Sequence, residues 1–230
     1  MLFNSRYDQS FADVEADANA TPIGHSAASQ KVKRSADLLL SVILVVPVGL
    51  LLGVIILAVM IFDRQPVFYL QTRVGRRGQP FRCIKVRTMR LDADARLEQI
   101  LAEDPAAARQ WREHQKLSHD PRVTPIGRFL RKTSLDELPQ LLNVFRGEMS
   151  LVGPRPIIAD EIDRYGADIA YYMAVRPGVT GLWQVSGRSR TSYARRVALD
   201  REYVENQSLA KDFSILFRTV RVVLTGEGSA

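Results

Sequence analysis

The sequence predicts a mostly helical α+β protein: a re-entrant membrane helix, a small β-hairpin, and a helical domain that carries amphipathic interfacial helices. Three observations predict it. Leu38 to Phe62 form an apolar run without one charge, interrupted by Pro47. A basic, β-prone stretch split by a Gly and Pro turn follows at once. Most of the remainder carries apolar residues at helical spacing.

Taken in order, residues 1–30 mix Asn, Ser, Ala, Asp and Gln without apolar periodicity and read as a tail outside any packed element. Residues 31–63 read as the membrane helix. At about 1.5 Å of rise per residue, such a run can cross a bilayer core of about 30 Å. Pro47 removes one backbone hydrogen bond and crowds the preceding turn, so a break is expected near Val46 and Pro47, with Gly49 and Gly53 softening the region. Lys31, Lys33 and Arg34 precede the run, and Arg64, Arg73, Arg76, Arg77 and Arg82 follow it. Short positive flanks favour the cytoplasmic side, and two such flanks are reconciled most simply by a helix that enters, bends and leaves on the same face. A straight single pass is the alternative, since proline is tolerated in membrane helices.

Residues 64–230 read as one cytoplasmic, membrane-associated domain. Between Arg64 and Arg90 there are eight basic residues and no acidic one, and PVFYLQTRVG and FRCIKVRTM read as the two strands of a hairpin joined through RRGQP. Residues 91–117 read as two scaffold helices, with Asp104 and Pro105 supplying a cap and a first-turn proline. In the last helix Phe213, Leu216, Phe217, Val220 and Leu224 share one face, which suits either the membrane surface or the core.

The chain is basic, with a net charge of +7, which calls for an anionic partner: nucleic acid, an anionic lipid surface or a phosphorylated substrate. Cys83 is the single cysteine, which excludes an intrachain disulfide, and the scattered His25, His114 and His119 give no zinc spacing. The aromatics of the basic stretch, Phe68, Tyr69 and Phe81, sit where hairpin packing puts them, so lipid headgroups or a diphosphate are better partners than nucleic acid.

The stretch SLDELPQLLNVFRGEMSLVGPRP, from Ser134 to Pro156, holds adjacent carboxylates at Asp136 and Glu137. Ser134 and Glu137 have capping-box spacing. Pro139 would then fall at the fifth helical position, so a helix starting near Asp136 or Glu137 and running through LPQLLNVF accommodates it better. Both acids would lie at a helix N-terminus, which favours an ionised carboxylate and a bound phosphate. Arg128, Arg131, Lys132, Arg146 and Arg155 surround the motif. A carboxylate kept anionic there could hold Mg²⁺, attack phosphorus, or both; surface ion pairing is the plainer reading.

The runs QTRVGRRGQPFRCIKVRTM, DPRVTPIGRFLRKTSLDELPQLLNVFRGEMSLVGPRP and RPGVTGLWQVSGRS, in that order behind a basic-flanked apolar segment, closely resemble the bacterial sugar transferases of the monotopic phosphoglycosyl transferase superfamily. The resemblance covers Lys31 to the C-terminus and implies transfer of a sugar 1-phosphate from a UDP-sugar to undecaprenyl phosphate, with release of UMP. It implies that Asp136 is the nucleophile, forming a phosphosugar-aspartyl intermediate and holding Mg²⁺, and that Glu137 assists the second half-reaction. Lys85 and Arg87 in IKVRTM, Arg131, Arg155 in GPRP and Asp212 in the last helix are implied as substrate-binding positions; for Asp212 an N-cap is an equally physical role. The family's helix is re-entrant and broken at a proline. This chain departs in having Val46 before Pro47, where the best-known members have Ser.

The chain resembles the short catalytic form that begins exopolysaccharide synthesis. It implies the bacterial inner membrane, with the domain on the cytoplasmic face. Galactose or glucose is the preferred sugar, membrane lipids are partners, no nucleic acid is expected, and a homo-oligomer is allowed for. A non-catalytic, membrane-anchored scaffold that binds nucleotide or anionic lipid is the alternative function.

Overall fold

The long apolar run folds into a single helix, α1, Ala27–Phe62. The computed structural model describes residues 26–114, 117, 120–187 and 191–225. Most of the expected tail, together with His25, His119 and the Arg188 and Ser189 end of the third motif, lies outside the described residues. The tail reading is too long at its end: Ser26 caps α1, its hydroxyl accepting from the Ser29 N–H (3.2 Å).

Nor is the helix interrupted at Pro47. One continuous helix passes through the proline, whose missing N–H removes a single rung of a long ladder. Along α1, Lys33, Asp37 and Ser41 are buried near one end and Ile55 and Val59 near the other, while residues 42–47 between them are exposed.

The hairpin follows as expected. Strands β1 (Phe68–Val74) and β2 (Pro80–Val86) pair antiparallel, with Tyr69 opposite Lys85, Gln71 opposite Cys83 and Arg73 opposite Phe81. These residues share one face because side chains alternate along a strand and directly paired positions lie side by side. The scaffold helices are α2 (Ala93–Glu103) and α3 (Pro105–His114), with Asp104 accepting from the N–H groups of Ala106 (2.8 Å) and Ala107 (3.1 Å).

Helix α4, Pro125–Thr133, starts at Thr124. The Thr124 hydroxyl accepts from Gly127 N–H (2.9 Å) and donates to Asp63 Oδ2 (2.7 Å), which fastens the far end of α1 to this helix. Helix α5 is Gln140–Arg146. Strands β3 (Ser150–Val152) and β4 (Gly178–Thr180) pair parallel. A Cβ on Gly178 would lie 2.1 Å from the Gly153 nitrogen, so only glycine lets the chain pass there on its way to Arg155. Short helices α6 (Ile162–Tyr165) and α7 (Ile169–Ala174) lie between these strands, and α8 (Tyr193–Glu205) and α9 (Leu209–Thr225) complete the chain.

The main core joins Phe81, Cys83, Val144, Met149, Leu151, Tyr203 and Ile215, and so binds the hairpin, α5, β3, α8 and α9 together. A second cluster joins Ile55 and Val59 of α1 to Val86 and Leu130, with Leu135 and Leu138 packed against it. Helix α9 resolves the two readings of its apolar face by using both. Ile215 is buried and Leu216 packs on the core, whereas Phe213, Phe217 and Val220 are exposed; the Leu224 side chain is outside the described residues. The N-cap of that helix is not Asp212, since Ser208 Oγ accepts from Lys211 N–H (3.2 Å) and Asp212 lies in the first turn.

Candidate active site

Helix α4 ends at Ser134, which adopts the left-handed conformation (φ 57°, ψ 19°) as a C-cap. A 3₁₀ turn, Leu135–Glu137, comes next, and α5 begins only after Pro139. The capping box therefore does not form, because the Ser134 side chain caps nothing. The helix also does not start on the acids. Pro139, with fixed φ and no N–H, stands as the residue before the first turn of α5. Leu135 and Leu138 enter the apolar cluster around Val59 and Leu130, and Glu137 between them reaches Lys85 of the hairpin.

The two acids have opposite environments. Glu137 Oε1 lies 2.7 Å from Lys85 Nζ and 3.7 Å from Arg155 Nη2. Burial would push its carboxyl up, but Lys85 and Arg155 outweigh burial and hold it below the ordinary range. Asp136 is buried, at 9 % exposed, and makes no ion pair or side-chain hydrogen bond among the described residues. Burial, and then the charge of Glu137, raise its carboxyl, against the pull of Lys85, Arg131 and Arg155. The expectation that a helix end holds Asp136 ionised is thus corrected: α5 begins four residues later, and the site's cations only partly offset the burial and the Glu137 charge that raise this carboxyl.

Lys85 reaches Glu137 because Asn143 fixes strand β2 to helix α5. Its Oδ1 accepts from Ile84 N–H (3.1 Å), and its Nδ2 donates to Arg82 O (2.8 Å). Arg131 points back from α4 and donates from Nε to Thr88 Oγ1 (2.8 Å); burial lowers its guanidinium and Asp136 raises it. Arg155 lies 5.7 Å over the Trp183 ring. Lys85, Arg131, Arg155, Asp136 and Glu137 are therefore brought together.

Arg87 and Asp212 are not. Arg87 donates to the carbonyls of Pro66 (2.9 Å) and Phe68 (3.3 Å) and lies over Tyr69, at the outer end of the hairpin. Asp212 belongs to a separate buried network: its Oδ2 is 3.0 Å from Lys33 Nζ and its Oδ1 accepts from Tyr203 OH (2.7 Å). Lys33 also binds Asp37 (2.7 Å), whose Oδ2 accepts from Ser150 Oγ (2.8 Å). This network fastens α1 to the domain.

Beside Glu137 is an open cleft, lined by Arg73, Cys83, Lys85, Glu137, Gln140, Arg155, Pro156, Val179 and Gln184; Asp136 is not among its lining residues. Sequence reasoning missed Arg73, Gln140 and Gln184. The period-2 alternation of the hairpin, which puts Arg73 on the Lys85 face, was the available signal for the first; Gln184 comes from across the fold and left none. Among the described residues no cluster of three or more His, Cys, Asp or Glu could hold a metal. Mg²⁺ suits this poor donor set, because it is commonly bound by one or two carboxylates together with substrate phosphates. Glu137 is paired with Lys85, so Asp136 would be the carboxylate to hold such an ion.

Residues 28–226 match the family described as bacterial sugar transferase. An exopolysaccharide production protein, ExoY, of Sinorhizobium fredii is 47 % identical over 197 residues, which cover 86 % of this chain and 87 % of the relative. An undecaprenyl-phosphate galactose phosphotransferase of Salmonella typhimurium is 52 % identical over 167 residues, covering 73 % of this chain but 35 % of that longer protein. A UDP-glucose:undecaprenyl-phosphate glucose-1-phosphate transferase of Caulobacter vibrioides is 40 % identical over 205 residues, covering 86 % and 71 %.

Proposed function

The chain belongs to the bacterial sugar transferase family, and from that premise we propose that it transfers a sugar 1-phosphate from a UDP-sugar to undecaprenyl phosphate, releasing UMP, as the first membrane step of exopolysaccharide assembly. The observation that carries the mechanism is the unequal pair. Glu137 is locked to Lys85, while Asp136 is buried beside cations and makes no ion pair or side-chain hydrogen bond among the described residues.

Asp136 is the nucleophile. A carboxylate oxygen bonds to the phosphorus that bears the sugar, the bond from that phosphorus to the UMP oxygen breaks, and UMP leaves with the electron pair. A phosphate oxygen of undecaprenyl phosphate then attacks the same phosphorus and expels Asp136, giving the lipid-linked diphosphosugar. Burial makes Asp136 more basic than a surface carboxylate, and a more basic oxygen is the better nucleophile once ionised. Lys85, Arg131 and Arg155 neutralise phosphate oxygens that would otherwise repel it. Glu137, held ionised, orients Lys85 and Arg155 and assists the second step. Mg²⁺ bound by Asp136 and the phosphates would supply further charge neutralisation. Galactose and glucose, named in the Salmonella and Caulobacter relatives, are the preferred sugars.

Among the described residues one helix, α1, is long and apolar enough to cross a membrane. We read it as re-entrant through a bend at Pro47 that leaves the helix continuous, with residues 64–230 as the catalytic domain on the cytoplasmic face. Two facts support this reading. Both ends of α1 are packed on the same domain, Lys33 on Asp212 and Val59 beside Leu130, while the middle around Pro47 is exposed. Basic residues flank both ends. The anchor then holds the site at headgroup depth, where a soluble diphosphate and a lipid phosphate can reach Asp136 in turn.

The test is UMP release across a panel of UDP-sugars, with purified protein, polyprenyl phosphate and Mg²⁺. Release that requires Mg²⁺, with ping-pong kinetics, is expected; binding of nucleotide without turnover would make the protein a scaffold instead.

A further inference from the structure

The cleft beside Glu137 holds two kinds of polar group. Arg73, Lys85 and Arg155 are cations and suit phosphates. Gln140 and Gln184 are neutral amides, and phosphate charge gives them nothing to neutralise.

Gln140 is 2 % exposed, lines the cleft, and its amide makes no hydrogen bond among the described residues. Its polar atoms are not fully enclosed, so in the cleft they are open to a partner from outside the chain. Gln184 lines the same cleft. Its Nε2 donates to Val179 O (3.3 Å), which fixes the amide and leaves Oε1 a buried acceptor without a partner among the described residues. Gly181 is what gives that oxygen room, since a Cβ there would lie 2.7 Å from it.

We propose that Gln140 and Gln184 form the subsite that binds the hydroxyl groups of the transferred sugar and so determine which UDP-sugar is used. Hydroxyls both donate and accept, as amides do, and carry no charge. Gln140 opens α5 three residues after Glu137, and both line the cleft in which, on the transferase reading, the phosphorus attacked by Asp136 would lie. The neutral part of the substrate nearest that phosphorus is the sugar; the uracil is a further phosphate and a ribose away. A site built to hydrogen-bond a substrate hydroxyl discriminates strongly against analogues that misplace it.

This inference rests on the transferase reading, and the experiment separates the two. UMP release from UDP-galactose and UDP-glucose is measured for the full chain and for Gln140→Met and Gln184→Met, together with inhibition by UMP, which lacks the sugar, and with thermal stability. Expected are a 10- to 100-fold loss of kcat/KM for the preferred sugar, a several-fold change in the galactose to glucose ratio, and an unchanged UMP inhibition constant. UMP inhibition that weakens in parallel would place the amides at the nucleotide, and an unchanged sugar ratio would make them structural; either result overturns the proposal. If Gln140→Met does not fold, Gln184→Met decides by the same measurements. No UMP release by the unaltered chain from any UDP-sugar would instead sink the transferase reading.

Discussion

Lys85 Nζ lies 2.7 Å from Glu137 Oε1, and this one ion pair joins the hairpin to the turn that carries both acids. Its consequence is asymmetry: the second acid of the pair is spoken for, and the first, Asp136, makes no ion pair or side-chain hydrogen bond among the described residues.

Asp136→Asn is expected to lower UMP release by about a thousandfold or more and to abolish labelling of the protein from a UDP-sugar, since the amide oxygen cannot form the intermediate. Stability should be unchanged or higher, because the substitution removes a charge that burial disfavours. Labelling of the variant at the normal level would exclude Asp136 as nucleophile.

Lys85→Met leaves Glu137 with only the longer contact to Arg155, and should cost about 1–3 kcal/mol of stability as well as most activity. Adding Glu137→Gln should restore much of the stability by removing the uncompensated charge, but none of the activity. Denaturation midpoints and UMP release on the two variants check this; equal stability of the single and double variants would contradict it.

The Lys33 network is expected to be structural. Lys33→Met leaves Asp37 and Asp212 buried without their cation, a loss of about 3–5 kcal/mol, or roughly 10 °C in Tm for a chain of this size. Asp212→Asn should lower Tm less and leave the KM for UDP-sugar unchanged. A raised KM without loss of Tm would return Asp212 to the substrate site.

Asp200 gives a pH dependence of stability. Burial pushes its carboxyl up to about 7, against the pull of Arg196 and of the Tyr165 hydroxyl that donates to it (2.8 Å). The folded protein therefore binds this proton more tightly than the unfolded chain, where the value is about 4. The stabilisation is complete below the unfolded value and is lost as pH rises through about 7. Asp200→Asn should flatten that decline, with Tm a few degrees above the parent at pH 8 and little changed at pH 4. A Tm difference independent of pH would refute the assignment.

The re-entrant reading of α1 predicts that cysteines placed at Ser29 and at Gln65 are both labelled by an impermeant reagent in inverted vesicles and both protected in spheroplasts. The native Cys83 is fully buried and gives a low background. Labelling of one site from each side would show a straight pass.

The residues alone determined the apolar anchor, the hairpin, the helix pair around Asp104 and the motif that carries Asp136 and Glu137, because each rests on local spacing, charge or turn chemistry. The helix start expected on Asp136 or Glu137 is not where the chain puts it: Ser134 is the left-handed end of the preceding helix, the acids lie in a 3₁₀ turn, and α5 begins at Gln140. Only the tertiary structure decided that placement, by drawing Leu135 and Leu138 into the cluster around Val59. It also separated Arg87 and Asp212 from the site and brought in Arg73, Gln140 and Gln184. Pairing across 52 residues, as between Lys85 and Glu137, is set by which apolar faces pack together, and no local pattern records that.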